Sequence, residues 1–289
     1  MKFTLKFILH VILFNSLLYS NISAQTTNYK LLYDDPLTYK KLFINFNLIE
    51  LDVINPSNWR AGLGAEFALN QKLLFHADYN FTPIGSVGFN SETINKTGVC
   101  FEGGGIFSFS SKIKTGKMKI GFNSQRSRYN MKIQCNIQKQ YGLRAGINTF
   151  STPKKHDGYS SYSTAVSIYT GIVIMRTKNP LVDVDGFGAY SRNSRGKLYL
   201  DLMFAPVISL KDNTNYDAYP GSTTITASNF PELTKNHLGI RLGYMKRTNF
   251  PIPLYQGFEA GIRPGIGNGA FFLMKLAISV GFLEGKAKV

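Results

Sequence analysis

After residue 24 no stretch offers the 18 or so unbroken apolar residues that a membrane-spanning helix needs, so helical spans are excluded. Histidine is scarce. Outside the N-terminal apolar run there are only His76, His156 and His237. There is no Gly-x-Ser-x-Gly elbow, and no histidine is visibly placed between a serine and an orienting polar group, as a nucleophilic hydrolase requires. The nearest approach is the loop "TPKKHDGYSS", where Ser160 and Ser161 follow His156. No His/Cys cluster has zinc spacing. "DVDG" (183–186) supplies Asp183 and Asp185 but lacks the third ligand and distal glutamate of a calcium loop, and it reads more simply as an Asp-Gly turn. The expectation is a non-enzymatic chain without metal or cofactor.

Acidic residues are also few, 17 against 33 lysines and arginines, for a net charge of +16. Such an excess favours anionic partners, among them phosphorylated lipid headgroups and acidic polymers. Nucleic acid is not expected, because neither a recognition-helix pattern nor an aromatic-plus-basic RNA motif is present. Export points the same way. Lys2 and Lys6, the apolar Phe7–Leu18 and the small-residue site Ile22-Ser23-Ala24 read as a signal peptide over 1–24. Gln25 rather than cysteine would then open the mature chain, so lipoprotein attachment is not expected. The remaining 265 residues suit one all-β domain, since barrels of roughly 200–250 residues commonly form a single unit.

What the chain does have is alternation. In "WRAGLGAEFALNQKLLFHADYNFT" (59–82), Trp59, Leu63, Phe67, Phe75, Tyr79 and Phe81 share one face, and Arg60, Glu66, His76 and Asp78 share the other, across a tight Asn70-Gln71 turn. The pattern returns at 41–51, 97–109, 117–122, 129–137, 141–150, 162–176, 197–210, 237–245, 255–264 and 269–282. The apolar face carries aromatics near strand ends (Trp59, Phe81, Phe109, Phe150, Phe282), as in the girdles of membrane barrels, while the polar face is rich in glycine and charge. Mean hydropathy is only −0.09, as expected when half of each strand faces inward. The fold class predicted is a single antiparallel transmembrane β-barrel of about twelve strands, range ten to fourteen, over 41–283, with an N-terminal periplasmic segment at 25–40 and a tail at 284–289. Short links at 70–71, 110–115 and 138–140 would lie on one side of the membrane and the longer 83–96, 151–161 and 211–236 on the other. The 177–196 segment and the short 265–268 link break that rule.

On this facing the lumen receives Arg60, Arg144, Arg241, Arg263, Lys119, Lys132 and Lys275, opposed by Glu66, Asp78, Glu102, Asp201 and Glu259. Opposite charges in a narrow interior should pair, because an unpaired buried charge is costly, and a small barrel packs its interior with side chains. The basic excess leaves open a weakly anion-selective constriction. His76 and His237 face the lumen with these groups. Cys100 falls on the lumenal face and Cys135 on the lipid face, which argues against a disulfide, since the Cβ atoms must approach to about 4 Å.

The Ala-Gln signal ending, the 59–82 hairpin, the "KLYLDLMFAP" strand and the aromatic near-terminal strand resemble the outer-membrane β-barrel proteins of Bacteroidota. The resemblance implies an integral outer-membrane location, in contact with outer-membrane lipid and lipopolysaccharide. One departure is that Phe282 is followed by LEGKAKV rather than ending the chain. The 177–196 segment reads either as unresolved short strands or as a projection that joins 28–41 in a docking surface for another subunit. The function expected is a non-enzymatic accessory or scaffold subunit of an outer-membrane secretion, assembly or uptake complex. A small passive channel is the alternative, and a hydrolase a distant one.

Overall fold

The computed structural model describes residues 28–54, 59–82, 86–87, 93–94, 98–123, 128–156, 159–191, 193–213, 235–249, 253–266 and 269–283. The signal-peptide expectation and the 284–289 tail lie outside them. In chain order the strands are β1 (Tyr29–Asp34), β2 (Leu42–Asp52), β3 (Trp59–Ala68), β4 (Leu73–Phe81), β5 (Ser86–Val87), β6 (Thr93–Ile94), β7 (Val99–Asn123), β8 (Arg128–His156), β9 (Tyr159–Lys178), β10 (Pro180–Val184), β11 (Gly188–Ser191), β12 (Ser194–Asn213), β13 (Lys235–Asn236), β14 (Leu238–Asn249), β15 (Pro253–Ile262), β16 (Gly265–Ile266) and β17 (Ala270–Phe282).

Ten of these form a closed antiparallel barrel, in the order β2-β3-β4-β7-β8-β9-β12-β14-β15-β17, and β17 returns to pair with β2 from Leu273↔Asp52 to Phe282↔Leu42. Every neighbour in the wall is thus also a neighbour in sequence among the wall strands, which makes this an up-and-down meander. The count falls at the low end of the sequence range for one reason. The links expected at 110–115 and 138–140 are not turns: β7 and β8 run straight through them and stay paired from Cys100↔Phe150 to Asn123↔Arg128. The polar residues there mark where the strands leave the wall, and 117–122 and 129–137 form a two-stranded ribbon beyond it. The 151–161 stretch is likewise mostly strand, since β8 and β9 pair out to His156↔Tyr159.

Side chains alternate as the pleat requires, with an inverted distribution. Leu63, Leu202 and Leu238 on the outside are 56%, 60% and 67% exposed, whereas Arg60, Arg241 and Arg247 on the inside are 1–2% exposed. A water-soluble domain shows the reverse. The imperfect alternation of 41–51 has a local cause. Register slips between Asn47 and Glu50 against β3, and between Leu276 and Ala277 on the other side. This bulge puts both Leu48 and Ile49 outside and returns Glu50 and Asp52 to the interior. Two facings differ from expectation. Phe150, opposite lumenal Cys100, points inward and not into an outer girdle. His237 lies just before β14, exposed, with Nδ1 2.6 Å from the Ala205 carbonyl oxygen, and not in the lumen.

The irregular 177–196 segment resolves into the β10–β11 hairpin, whose turn contains Asp185 and Gly186, the latter at φ +80. β1 adds to it in antiparallel register, Tyr29↔Val184 to Asp34↔Pro180, so 28–34 and 180–191 meet in one three-stranded sheet. This sheet packs on the β7–β8 ribbon through Met118, Ile120, Ile133, Cys135, Val182 and Val184, a second apolar core outside the barrel. Asp34 ties the edge, accepting from the Asn136 backbone N–H at 2.6 Å. Cys135 therefore lies in this core, not on the outer face of the wall, and burial pushes its thiol up. Both cysteines are free.

A carboxylate placed in this core would be buried without a partner. Val182→Asp should cost the appended sheet about 3 kcal/mol or more. In maleimide-labelling time courses on the folded protein, Cys135 should react slowly in the wild type and at least tenfold faster in the variant, while the barrel keeps its unboiled gel mobility.

Candidate functional site: a charge-filled lumen

The chemistry of this chain is concentrated inside the barrel, where strands that are not sequence neighbours bring their inward residues together. At mid-height β7 contributes Glu102, β8 Arg144, β12 Asp201, β14 Arg241 and β15 Glu259. Arg241 is the hub. Its Nη2 lies 2.7 Å from Asp201 Oδ2, and its Nη1 lies 2.6 Å from Glu102 Oε2 and 3.3 Å from Glu259 Oε2. Arg144 donates to Asp201 at 2.8 Å and also pairs with Glu102. Two tyrosines enclose the group. The Arg144 guanidinium sits 4.0 Å from the Tyr199 ring centroid and 4.8 Å from that of Tyr169, while the Tyr199 hydroxyl donates to Glu259 at 2.6 Å. Delocalised, weakly hydrated guanidinium suits this role better than ammonium, since it offers fixed donors at its rim and a stacking face. His76 completes the layer, its Nε2 2.9 Å from the Tyr169 hydroxyl and 3.4 Å from Glu102.

A second layer lies toward the end where β2 begins and β17 stops. Glu66 takes Arg247 at 2.9 Å, Arg195 at 3.2 Å and Lys197 as well. Arg247 also donates from Nε to Ser279 Oγ at 2.7 Å and stacks 3.9 Å from the Phe43 ring centroid. Beneath it Tyr39, just ahead of β2 and 5% exposed, packs on Phe43 and receives the Arg195 guanidinium at 4.4 Å. The N-terminal segment is thereby part of the lumen filling.

The third layer is nearer the opposite end. Arg60 pairs with Glu50 at 2.8 Å, and Glu50 also accepts from Asn80 at 3.0 Å and has Lys275 at 3.6 Å. Lys275 reaches Asp78 at 3.5 Å. Phe150 is enclosed by two cations, Arg60 at 4.3 Å and Arg263 at 4.2 Å from its centroid. Arg263 also stands 3.9 Å from Asp52. Phe150 faces inward because it shares the parity of Arg144 and Asn148 on β8, and the two cations cover its ring there. Between the first two layers remains a cavity of about 30 Å³, bordered by Glu66, His76, Asp78, Glu102, Arg144 and Lys197, room for one or two waters.

Ten of the twelve charged residues expected in the lumen are there: Arg60, Glu66, Asp78, Glu102, Arg144, Asp201, Arg241, Glu259, Arg263 and Lys275. Lys119 and Lys132 are not. They are cross-strand partners on the ribbon, exposed and beyond the wall. Sequence reading missed Glu50 and Asp52, hidden by the β2 bulge, and Arg195, Lys197 and Arg247. Lys197 was legible from its parity with Asp201. Arg247 lies only two residues past the end drawn for its strand. With these included, acids and bases inside the barrel nearly balance, and the basic excess expected there is largely removed. The side chain of His156 lies outside those described.

Comparison with protein-family models, with curated proteins and with solved structures finds no match to this chain. The lumen therefore has to be read from its own chemistry. Every lumenal cation named above has a carboxylate or aromatic partner.

Removing one partner from such a lattice strands the others. Arg241→Ala leaves Asp201, Glu102 and Glu259 short of a shared cation and should lower stability by about 3–5 kcal/mol in urea titrations of the folded protein in detergent. Arg241→Lys should recover only part of this, because a point charge cannot serve three carboxylates at once.

Proposed function

We propose that the protein is an integral outer-membrane β-barrel that acts as a non-enzymatic structural subunit, with the sheet and ribbon outside the barrel wall as the surface offered to other subunits. The observation that carries the membrane reading is the inverted side-chain distribution of a closed barrel: leucine, isoleucine and phenylalanine outside, paired arginine and glutamate inside. Water would be a poor solvent for that exterior, and a hydrocarbon layer requires the edge-free sheet that closure supplies. The six wall strands β2, β3, β4, β14, β15 and β17 have 9 to 13 residues, close to the roughly 9–11 of a tilted transmembrane strand. These lengths support the reading as a membrane barrel.

The structural-subunit reading is supported by the filled lumen and by how the chain spends its remaining residues. Past its pairing with β4, β7 runs on for some 14 residues, roughly 45 Å of strand if extended, and about ten residues of β8 lie beyond its pairing with β9; this ribbon packs against segments 28–34 and 180–191. A pore needs no such body.

The experiment is planar-bilayer conductance of the detergent-extracted protein, with heat-modifiability as the check on folding. The expected result is a band that migrates differently when unboiled, together with a bilayer that shows no stable conductance steps. Steady conductance that disappears in Arg241 variants that remain folded would overturn the occluded-lumen reading in favour of a channel. Extraction without detergent would overturn the membrane reading altogether.

A further inference from the structure

Among the described residues the lumenal acids and bases nearly balance, and the basic groups without a carboxylate partner lie outside the lumen. Some of these groups are ordered in a way the fold alone does not require. Register places Lys139 of β8 opposite Arg176 of β9, Arg176 opposite Gly196 of β12, and Gly196 opposite Lys246 of β14. Residues directly opposite in adjacent antiparallel strands share a face. For this row the face is outward, because it lies two residues along from the outward row Tyr141, Ile174, Leu198 and Tyr244. The cations begin where the apolar outer surface ends, on the side where β2 begins and β17 stops. Among the described residues no carboxylate pairs with Lys139, Arg176 or Lys246, in contrast to the paired lumenal cations; Lys139 instead lies 4.7 Å from the Tyr141 ring centroid.

The centre of the row is a glycine with no packing reason to be one. At most wall glycines an added Cβ would collide; at Gly62, Gly171 and Gly257 it would come within 2.0–2.1 Å of a backbone oxygen. At Gly196 the nearest atom would be the Tyr244 hydroxyl oxygen at 3.7 Å, ordinary contact, and no left-handed backbone conformation calls for glycine. With no side chain at Gly196, the strand surface there is bare between Arg176 and Lys246, which stand at one strand spacing, about 4.8 Å on each side, and the edge of the Tyr244 ring borders it. Tyr244 stands above it, in the interfacial position favoured by amphipathic rings.

We propose that Arg176, Lys246 and Lys139, around Gly196, bind the phosphate of an anionic glycerophospholipid whose acyl chains lie along Leu198 and Ile174. The site rests on the membrane reading above. Guanidinium and ammonium groups complement a phosphodiester, the tyrosine hydroxyl can donate to it, and the apolar row next to the cations receives the hydrocarbon. A soluble phosphate would make no use of that neighbouring row.

The test is lipid retention by the full chain, extracted in detergent, exchanged into micelles doped with equal phosphatidylglycerol and phosphatidylcholine, and examined by native mass spectrometry. Wild type should retain phosphatidylglycerol over phosphatidylcholine by about tenfold, on the scale of two surface cations acting on an anionic lipid. Arg176→Gln/Lys246→Gln should lose that preference. Gly196→Leu keeps every charge, and its Cβ meets nothing closer than the Tyr244 hydroxyl at 3.7 Å; checked for its folded band, it should lose the preference too, because it covers the bare surface between the cations. Lys117→Gln/Lys132→Gln removes two ribbon cations and should leave the preference intact. If Gly196→Leu retains phosphatidylglycerol like wild type, or the ribbon variant loses it equally, the attraction is diffuse and the site is overturned. Displacement of the lipid by excess inorganic phosphate would assign these cations to free phosphate and also overturn the site. Unboiled gel mobility separates the two levels of inference: a wild type without a folded band, or soluble without detergent, overturns the membrane reading and the site with it, whereas a folded wild type without lipid preference overturns the site alone.

Discussion

Closure of the sheet between the last wall strand and the first is the constraint on which the rest of the molecule depends. The β17–β2 seam lets every wall strand find both hydrogen-bonding neighbours, and it also builds the lumenal layers across itself. Lys275 stands opposite Glu50 at the seam. Ser279 and Asn45, also opposite each other, together hold the Arg247 guanidinium, with Ser279 donating to Asn45 at 2.7 Å. Were the seam open, two strand edges would be unpaired, at several kcal/mol per group in hydrocarbon. The charges now buried would face water on one side with half their partners missing. Hydrogen bonding of the wall and electrostatics of the interior are therefore one structural problem with one solution.

The interior solves its own problem by sharing. A buried ion pair often gains little net stability over an apolar pair, because desolvation offsets the attraction. Here few acids or bases rely on a single partner. Arg241 serves three carboxylates, Glu66 receives three cations, and aromatic rings cover the guanidinium faces that have no acceptor. Such a lattice fixes which strand stands beside which and leaves little room for solute. The body built from the ribbon and the three-stranded sheet has opposite chemistry, an apolar cluster of Met118, Ile120, Ile133, Val182 and Val184. One chain thus carries two cores, a barrel interior in which the charge lattice lies beside an apolar cluster around Leu74, Ile106 and Val173, and an apolar core outside the barrel.

Much of the wall was legible from the sequence, because period-two alternation encodes facing directly. Arg60, Glu66 and Asp78 were placed inside and Leu63, Phe67 and Tyr79 outside from their parity alone, and the structure agrees. Errors arose where parity is broken or where it does not identify what a face meets. The β2 bulge hid Glu50. Phe150 looked like a girdle aromatic because aromatics are ambiguous: the same ring can meet lipid or two guanidinium groups. Met118, Ile120 and Cys135 alternate as wall residues would, yet they pack against β10, because an apolar face fits another protein sheet as well as it fits hydrocarbon.

Alternation along each segment was enough to show that the chain is all-β, which side of each regular strand is polar, and that charges of both signs would share an enclosed interior. These follow from local geometry, a side-chain period of two that needs no knowledge of neighbours. That ten strands rather than twelve make the wall, which acid meets which base, and that 28–34 and 180–191 join the ribbon in a second core became visible only in the folded chain. Those are questions of register between segments far apart in the chain, and register is set by the simultaneous pairing of all strands, which no single segment carries.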